Sequence, residues 1–304
     1  MLSEPAELDP YKNLVDLVGH TGGARVERLL AMIPDLTAKP YVLEGRAGVN
    51  LYWGHEEPVA WVGAHHDIDP WTPQGALDNT AALAILVSMI LSGRIPANVG
   101  VAFWDGEEPG GGGGADGSSV HAAEIAEAGA GGGRVPPVVV LDVLGRGRLM
   151  MAGNWNGLEF LREMGDGSGS NPLELVPVTP PSDHVAFLAN GVPSALLVAM
   201  PRLGNGYLDY SHWDILHSDR DNIGMASPTD MRQQMASLHA FLVRVATHEV
   251  TQPGRRVVSE DVQMQAAEKI KSIRPSPKTN LPTDEEWREM IKVRDKPRPS
   301  GREG

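Results

Sequence analysis

The chain has 304 residues, no cysteine, and 26 Lys+Arg against 39 Asp+Glu, a formal net charge of -13. Disulfides and thiolate metal sites are therefore excluded, and any metal must be held by His, Asp or Glu. The acidic balance argues against a nucleic-acid partner. No apolar run reaches the roughly 18 residues that a membrane span requires, so no membrane partner is expected.

From the N-terminus, Met1 to Glu7 lacks the basic and apolar regions of an export signal, and a cytoplasmic location is the expectation. Val59–Ala64 predicts a buried strand and Asn79–Ser92 a helix. Val99–Trp104 predicts a second strand, Ser119–Ala128 a helix, and Val135–Leu141 a third strand. Ser182 is placed to cap a short helix over Asp183–Asn190. Ser194–Met200 predicts a strand and Pro228–Val250 a long helix. Apolar runs alternating with helical segments define an α/β class: three layers, αβα, around a central, mostly parallel mixed sheet.

The pattern changes near residue 250. Residues 252–304 carry 12 Lys+Arg against 9 Asp+Glu, so the strong negative charge lies upstream. Residues 1–250 are read as one globular domain and 251–304 as a polar, weakly basic appendage, the candidate element for self-association. Within it the sequence predicts one helix from Ser259 to Ile273 and another after Thr283, where Thr283-Asp284-Glu285-Glu286 forms a capping box. Arg274-Pro275-Ser276-Pro277 reads as an extended linker between them.

Open sheets of this class bind ligands at the carboxyl ends of their strands. The polar residues there are His65-His66-Asp67, then Asp78-Asn79 at the start of a helix, Asp105-Gly106-Glu107-Glu108, and Asp142. His217-Ser218-Asp219-Arg220-Asp221 lies in a loop ahead of the last helix. This hard and borderline N/O donor set suits zinc, with cobalt or manganese as alternatives. A pair of divalent ions needs a bridging carboxylate, and Asp78, short and placed on a helix-opening turn, is the natural bridge. Asp67 returns to the same side as His65 and is placed to fix its tautomer, while alternation turns His66 away. Of the adjacent Glu107 and Glu108, one can ligate a metal and the other act as general base.

Taken together, Ala64-His65-His66-Asp67, Gly75-Ala76-Leu77-Asp78-Asn79, Phe103-Trp104-Asp105-Gly106-Glu107-Glu108, Leu141-Asp142-Val143-Leu144-Gly145, Ser182-Asp183-His184 and His217-Ser218-Asp219-Arg220-Asp221 resemble the co-catalytic zinc aminopeptidases of metallopeptidase family 28. That family includes bacterial leucyl aminopeptidases, carboxypeptidase Q and glutaminyl cyclases. The resemblance spans residues 60–225 and implies a zinc-exopeptidase-like fold with two zinc ions per chain. It assigns His65 and Asp142 to one metal, Glu108 and His217 to the other, Asp78 to both, Glu107 as base and Asp67 as the orienting partner of His65. The chain departs from the family in the five glycines Gly110–Gly114, in the loop before His217, and in the tail beyond Gln252.

The implied reaction is hydrolysis of an N-terminal residue from a peptide or small amide. Tyr207, Tyr210, His184 and His212 are candidates to steady the developing oxyanion, and Asp183, His184 and Tyr210 the candidate substrate-binding residues. Trp71, Trp155 and Trp213 are candidates for an apolar wall. A glutaminyl cyclase, an amidase or deacylase, and a metal-stabilised scaffold are the competing functions. Asn79 after the bridging Asp, and a complete two-metal set, favour hydrolysis over cyclisation.

Overall fold

The computed structural model describes residues 9–108, 114–153, 173–177, 179–251 and 258–273. Strands β1 (Thr37–Leu43), β2 (Arg46–Trp53), β3 (Ala60–His65), β4 (Val99–Trp104), β5 (Val138–Leu141), β6 (Arg148–Ala152), β7 (Glu174–Val176) and β8 (Ser194–Met200) form one sheet in the order β1-β2-β4-β3-β5-β8-β6-β7. The middle four, β4-β3-β5-β8, are mutually parallel. β1 and β2 form an antiparallel hairpin that adds antiparallel to β4, and β6 adds antiparallel to β8.

The interiors of the middle strands are apolar because both faces are covered, with polar residues only at the ends, Ser194 opening β8 and His65 closing β3. Val139 and Leu141 of β5, Leu197 and Ala199 of β8, and Val101 and Phe103 of β4 enter one core. Val138, Val140, Leu196, Val198, Ala102 and Trp104, one residue out of phase, enter the other. On the first face lie α1 (Pro10–Leu17), α2 (Gly22–Met32), α3 (Ala81–Leu91) and α6 (Pro228–Thr251); on the second lie α4 (Asp116–Ala130) and α5 (His184–Ala189). The result is the expected αβα sandwich. Helix α3 is buried from Ala81 to Ile90, and its one polar residue there, Ser88, bonds Ala84 O at 2.9 Å and accepts from Asn13 Nδ2 at 2.8 Å.

The structure differs from the sequence reading in four places. The β1–β2 hairpin is not announced by apolar alternation, because β1 is an exposed edge strand carrying Pro40. Strands β6 and β7, and the amphipathic helices α1 and α2, were likewise not read from the sequence. Asp78 and Asn79 are not helical (φ -115° and -127°), so regular helix starts at Ala81 rather than Asn79. Ser182 does not cap α5 through its side chain; its carbonyl accepts from Val185 N at 3.0 Å, and Asp183 stands at the N-terminal boundary.

Helix α7 (Glu260–Ile273) follows Ser259, whose hydroxyl accepts from Val262 N at 3.4 Å. Its Ala266 and Ile270, with Val258, bury against Val185, Ala186 and Leu188 of α5 and against Ala115. The helix expected after Thr283, Trp155, and Gly110–Gly113 lie outside the described residues. Among those described, no helix is long and apolar enough to cross a membrane.

Candidate active site

β4 and β5 flank β3 on opposite sides, although β4 follows β3 in the chain and β5 comes next. Loops leaving these neighbours therefore diverge around the end of β3 and open a crevice, the usual place for a ligand in such a sheet. His65 ends β3, Asp105 to Glu108 follow β4, and Asp142 follows β5. The turn carrying Asp78 arrives between them from a left-handed Gly75 (φ +51°), where a Cβ would lie 2.5 Å from Asp78 O.

The turn is held from three sides. Asp221, 144 residues away, accepts from Leu77 N at 2.8 Å and from Asp78 N at 3.1 Å. Asn79 Nδ2 donates to Leu141 O at 2.8 Å, tying the turn to the end of β5. Thr80 receives a bond from the buried Arg25 of α2, Nη2 to Oγ1 at 2.8 Å. Arg25 is 0 % exposed, and it also donates from Nη1 to His66 O at 3.2 Å and from Nε to His20 O at 2.8 Å.

Asp78 divides its two oxygens. Oδ1 lies 3.1 Å from His65 Nε2, and Oδ2 lies 3.3 Å from His217 Nε2. Asp142 Oδ1 is 3.4 Å from the same His65 nitrogen, and Glu108 Oε2 is 3.2 Å from the same His217 nitrogen. Asp67 Oδ1 stands 3.4 Å from the other His65 nitrogen, Nδ1. Its carboxylate also accepts the backbone N–H groups of Glu107 (3.2 Å) and Glu108 (3.0 Å), so one side chain anchors both β3-end and β4-end donors. His66 points away and bonds Val49 O at 2.8 Å, as alternation requires. His217 adopts a left-handed backbone (φ +53°), and its side chain is half exposed.

Charge dominates the electrostatics. Burial presses the Glu107 carboxyl well above its usual range, and the neighbouring Asp142, Glu108 and Asp183 add to the rise, against the pull of His65. Burial and Asp78 push Glu108 up to about 8, and burial with Asp78 raises Asp142. Burial lifts Asp183 to about 7, with His65 and Ser118 drawing it back and Asp67 and Asp142 adding to the rise. Conversely, burial opposes a charged His65, but its bonds to Asp142, Asp67 and Asp78 raise it overall. His217 rises to about 11 beside Asp78 and Glu108. Asp78 itself is held below the ordinary carboxylate range, burial being outweighed by His217 and His65. Carboxylates thus crowd two imidazoles, an excess of negative charge that divalent cations neutralise.

The donor set fits zinc. His65, Asp78 and Asp142 offer ligand atoms within 4.8 Å of one another, as do His65, Glu107 and Glu108. Glu108 is 1 % exposed and meets no hydrogen-bond donor among the described residues beyond the His217 ring. A third such group is Asp69, Glu108 and His217. Asp69, Arg25 and the anchoring role of Asp221 were missed by sequence reasoning. The spacing His65, Asp67, Asp69 was a usable signal for the first of these; nothing local marks the second.

The remaining candidates divide. Asp183 faces the cluster, while His184 is buried at the start of α5 and burial pulls its ring down to about 3. Tyr210 is exposed at the start of the turn Tyr210–Ile215 and makes no hydrogen bond or ion pair to the cluster; Tyr207 is exposed as well. Buried His212 packs 6.0 Å from the Trp213 ring, and its nitrogens have no hydrogen-bond partner among the described residues. Trp71 is 76 % exposed.

An αβα sheet whose parallel middle strands end in imidazole and carboxylate donors defines a metal-dependent, peptidase-like enzyme. The chain belongs to Peptidase family M28, whose model matches residues 52–242. No curated protein matches the sequence. The fold is shared with a glutaminyl cyclase from an Acidobacteriales bacterium (16 % identity, 81 % of this chain and 98 % of that one, TM-score 0.59). It is shared too with the LapA aminopeptidase of Legionella pneumophila (16 %, 78 % and 70 %, 0.57) and a Zn-dependent exopeptidase from Parabacteroides distasonis (15 %, 79 % and 98 %, 0.55).

Proposed function

We propose that the protein is a two-zinc aminopeptidase, hydrolysing the amide bond that follows a free N-terminal residue, with Glu107 as its general base. The division of Asp78 carries this reading. One oxygen faces His65, with Asp142 beside it; the other faces His217, with Glu108 beside it. Two metal positions that share a carboxylate require that arrangement. His65, Asp142 and Asp78 would hold one ion, and Glu108, His217 and Asp78 the other. Bound zinc would lower the pKa of a water and polarise the scissile carbonyl.

The protein groups supply the rest. Asp67 holds the proton on His65 Nδ1 and so leaves Nε2 as the ligating atom. Through the Glu107 and Glu108 N–H groups it also sets the base against the donors. Glu107 takes the proton of the attacking water and delivers it to the leaving amine; its backbone N–H is fixed by Asp67, and its carboxylate stands among the ligand atoms of His65 and Glu108.

A glutaminyl cyclase is the second reading. It is favoured by the buried Asp183, on which the charge of Asp142 acts and which in turn acts on Glu107, a further proton-holding group beyond the base. The deciding experiment measures metal per chain and turnover of aminoacyl-anilides and N-terminal glutaminyl peptides. About two zinc with chelation-sensitive anilide cleavage supports the aminopeptidase. Ring closure of glutaminyl peptides replaces it with the cyclase, and metal without turnover of either substrate rejects both.

A further inference from the structure

We propose that Asp69 is a fourth protein ligand of the ion on the Glu108–His217 side, which makes the two metal positions unequal: closed at His217 and open at His65. The inference rests on the two-metal reading of the site and adds a donor outside the six motifs that carry the family resemblance.

Asp69 follows Asp67 by two residues, as Asp67 follows His65, so an extended segment turns all three the same way. One of its carboxylate oxygens lies within 4.8 Å of ligand atoms of both Glu108 and His217, which lie within the same distance of each other. The side chain is held there. It is 6 % exposed, its Oδ1 accepts from Trp71 N at 2.7 Å, and its carbonyl accepts from Thr72 N at 2.9 Å. Two buried carboxylates, Asp69 and Glu108, therefore stand together, and among the described residues no Lys or Arg pairs with either. Two carboxylates sharing a buried site need a proton or a cation between them, and a divalent ion supplies the cation.

Counting donors separates the positions. The His65 side has His65, Asp78 and Asp142. With Asp69, the His217 side has Asp78, Glu108, His217 and Asp69. Three protein ligands leave a position for water or substrate, and four close a zinc site. The closed position then fills first and holds its ion more tightly, and exchangeable chemistry falls to the His65 side.

The test titrates the metal-free, full-length protein with cobalt(II), followed by its visible absorption, with zinc as competitor. The Asp69→Asn variant keeps the acceptor for Trp71 N, as does Asp69→Ser, and both lack the carboxylate. The expected result is a tighter step weakened at least about tenfold, with a changed spectrum for that step and an unchanged weaker step. The metal-free variants should melt no lower than the wild type, since a repulsion has been removed. Two affinities and two spectra unaffected by either variant overturn the proposal. A wild type that takes up a single ion overturns the two-metal reading instead, and Asp69 then stands or falls by whether its variants weaken that one ion.

Discussion

Arg25→Met removes a fully buried guanidinium that three elements share. The lost bonds run to His20 O, His66 O and Thr80 Oγ1, at 2.8, 3.2 and 2.8 Å. A buried acceptor left without its donor costs about 1–3 kcal/mol, and breaking a buried charged network about 3–5 kcal/mol. Burial already works against this charge, pulling Arg25 from 12.5 to about 9 despite the attraction of Asp67, so removing the cation returns part of that cost. The net expectation is a loss of about 3 kcal/mol of folding stability. Arg25→Lys should recover only a part, because an ammonium cannot reproduce the guanidinium fork. The damage also reaches the site, since the His66 carbonyl lies between His65 and Asp67. Urea unfolding of the metal-free protein measures the first effect, and cobalt(II) affinity the second. A stability loss below about 0.5 kcal/mol with unaltered cobalt affinity would refute the view that Arg25 props up the β3 loop.

Glu107→Gln should keep its metal content and lose about 10²- to 10⁴-fold in kcat, read by elemental analysis beside turnover; an unchanged kcat removes Glu107 from the base role. Buried His121 accepts from Trp104 Nε1 at 3.1 Å, and burial lowers its folded pKa to about 3. Because the folded value lies below the unfolded one, stability is full above about pH 6.5 and falls as pH drops towards 3, by about 2 kcal/mol at pH 5. His121→Gln should flatten that part of the profile, and denaturant midpoints at pH 7 and 5 show whether it does. Truncation after Thr251 removes α7 and uncovers Val185, Ala186 and Leu188. Burial of Val258, Ala266 and Ile270 implies a loss of roughly 4 kcal/mol, seen as a fall in Tm of about 8–16 °C, and an unchanged Tm would show that α7 contributes nothing to α5.

Much of the sheet could be read from the chain because its middle strands are buried on both faces. Val99–Trp104 and Ser194–Met200 match their observed bounds, since a doubly covered parallel strand is a continuous apolar run with a polar stop. The hairpin over Thr37 to Trp53 left no such trace. Its outer strand is exposed, and its place beside β4 rests on backbone pairing. Ser182 shows another limit: a serine before a helical segment fits a cap on paper, yet only its carbonyl serves α5.

Within the site, residue types and order were legible and mutual geometry was not. A donor at the end of an apolar run announces itself by local contrast, so His65, Glu107, Glu108 and Asp142 stand out unaided. The sequence by itself therefore determined the αβα class, the edge where donors gather and the kind of metal they suit. Only the tertiary structure decided that Asp78 turns one oxygen to each imidazole, that Asp69 joins Glu108 and His217, and that Asp221 and Arg25 hold the turn and the β3 loop. The physical reason is range. Periodicity specifies which side of one element a residue occupies, whereas these contacts join loops from α2, β3, β4, β5 and the segment before α6, set at hydrogen-bond distance only when the two cores close around the sheet.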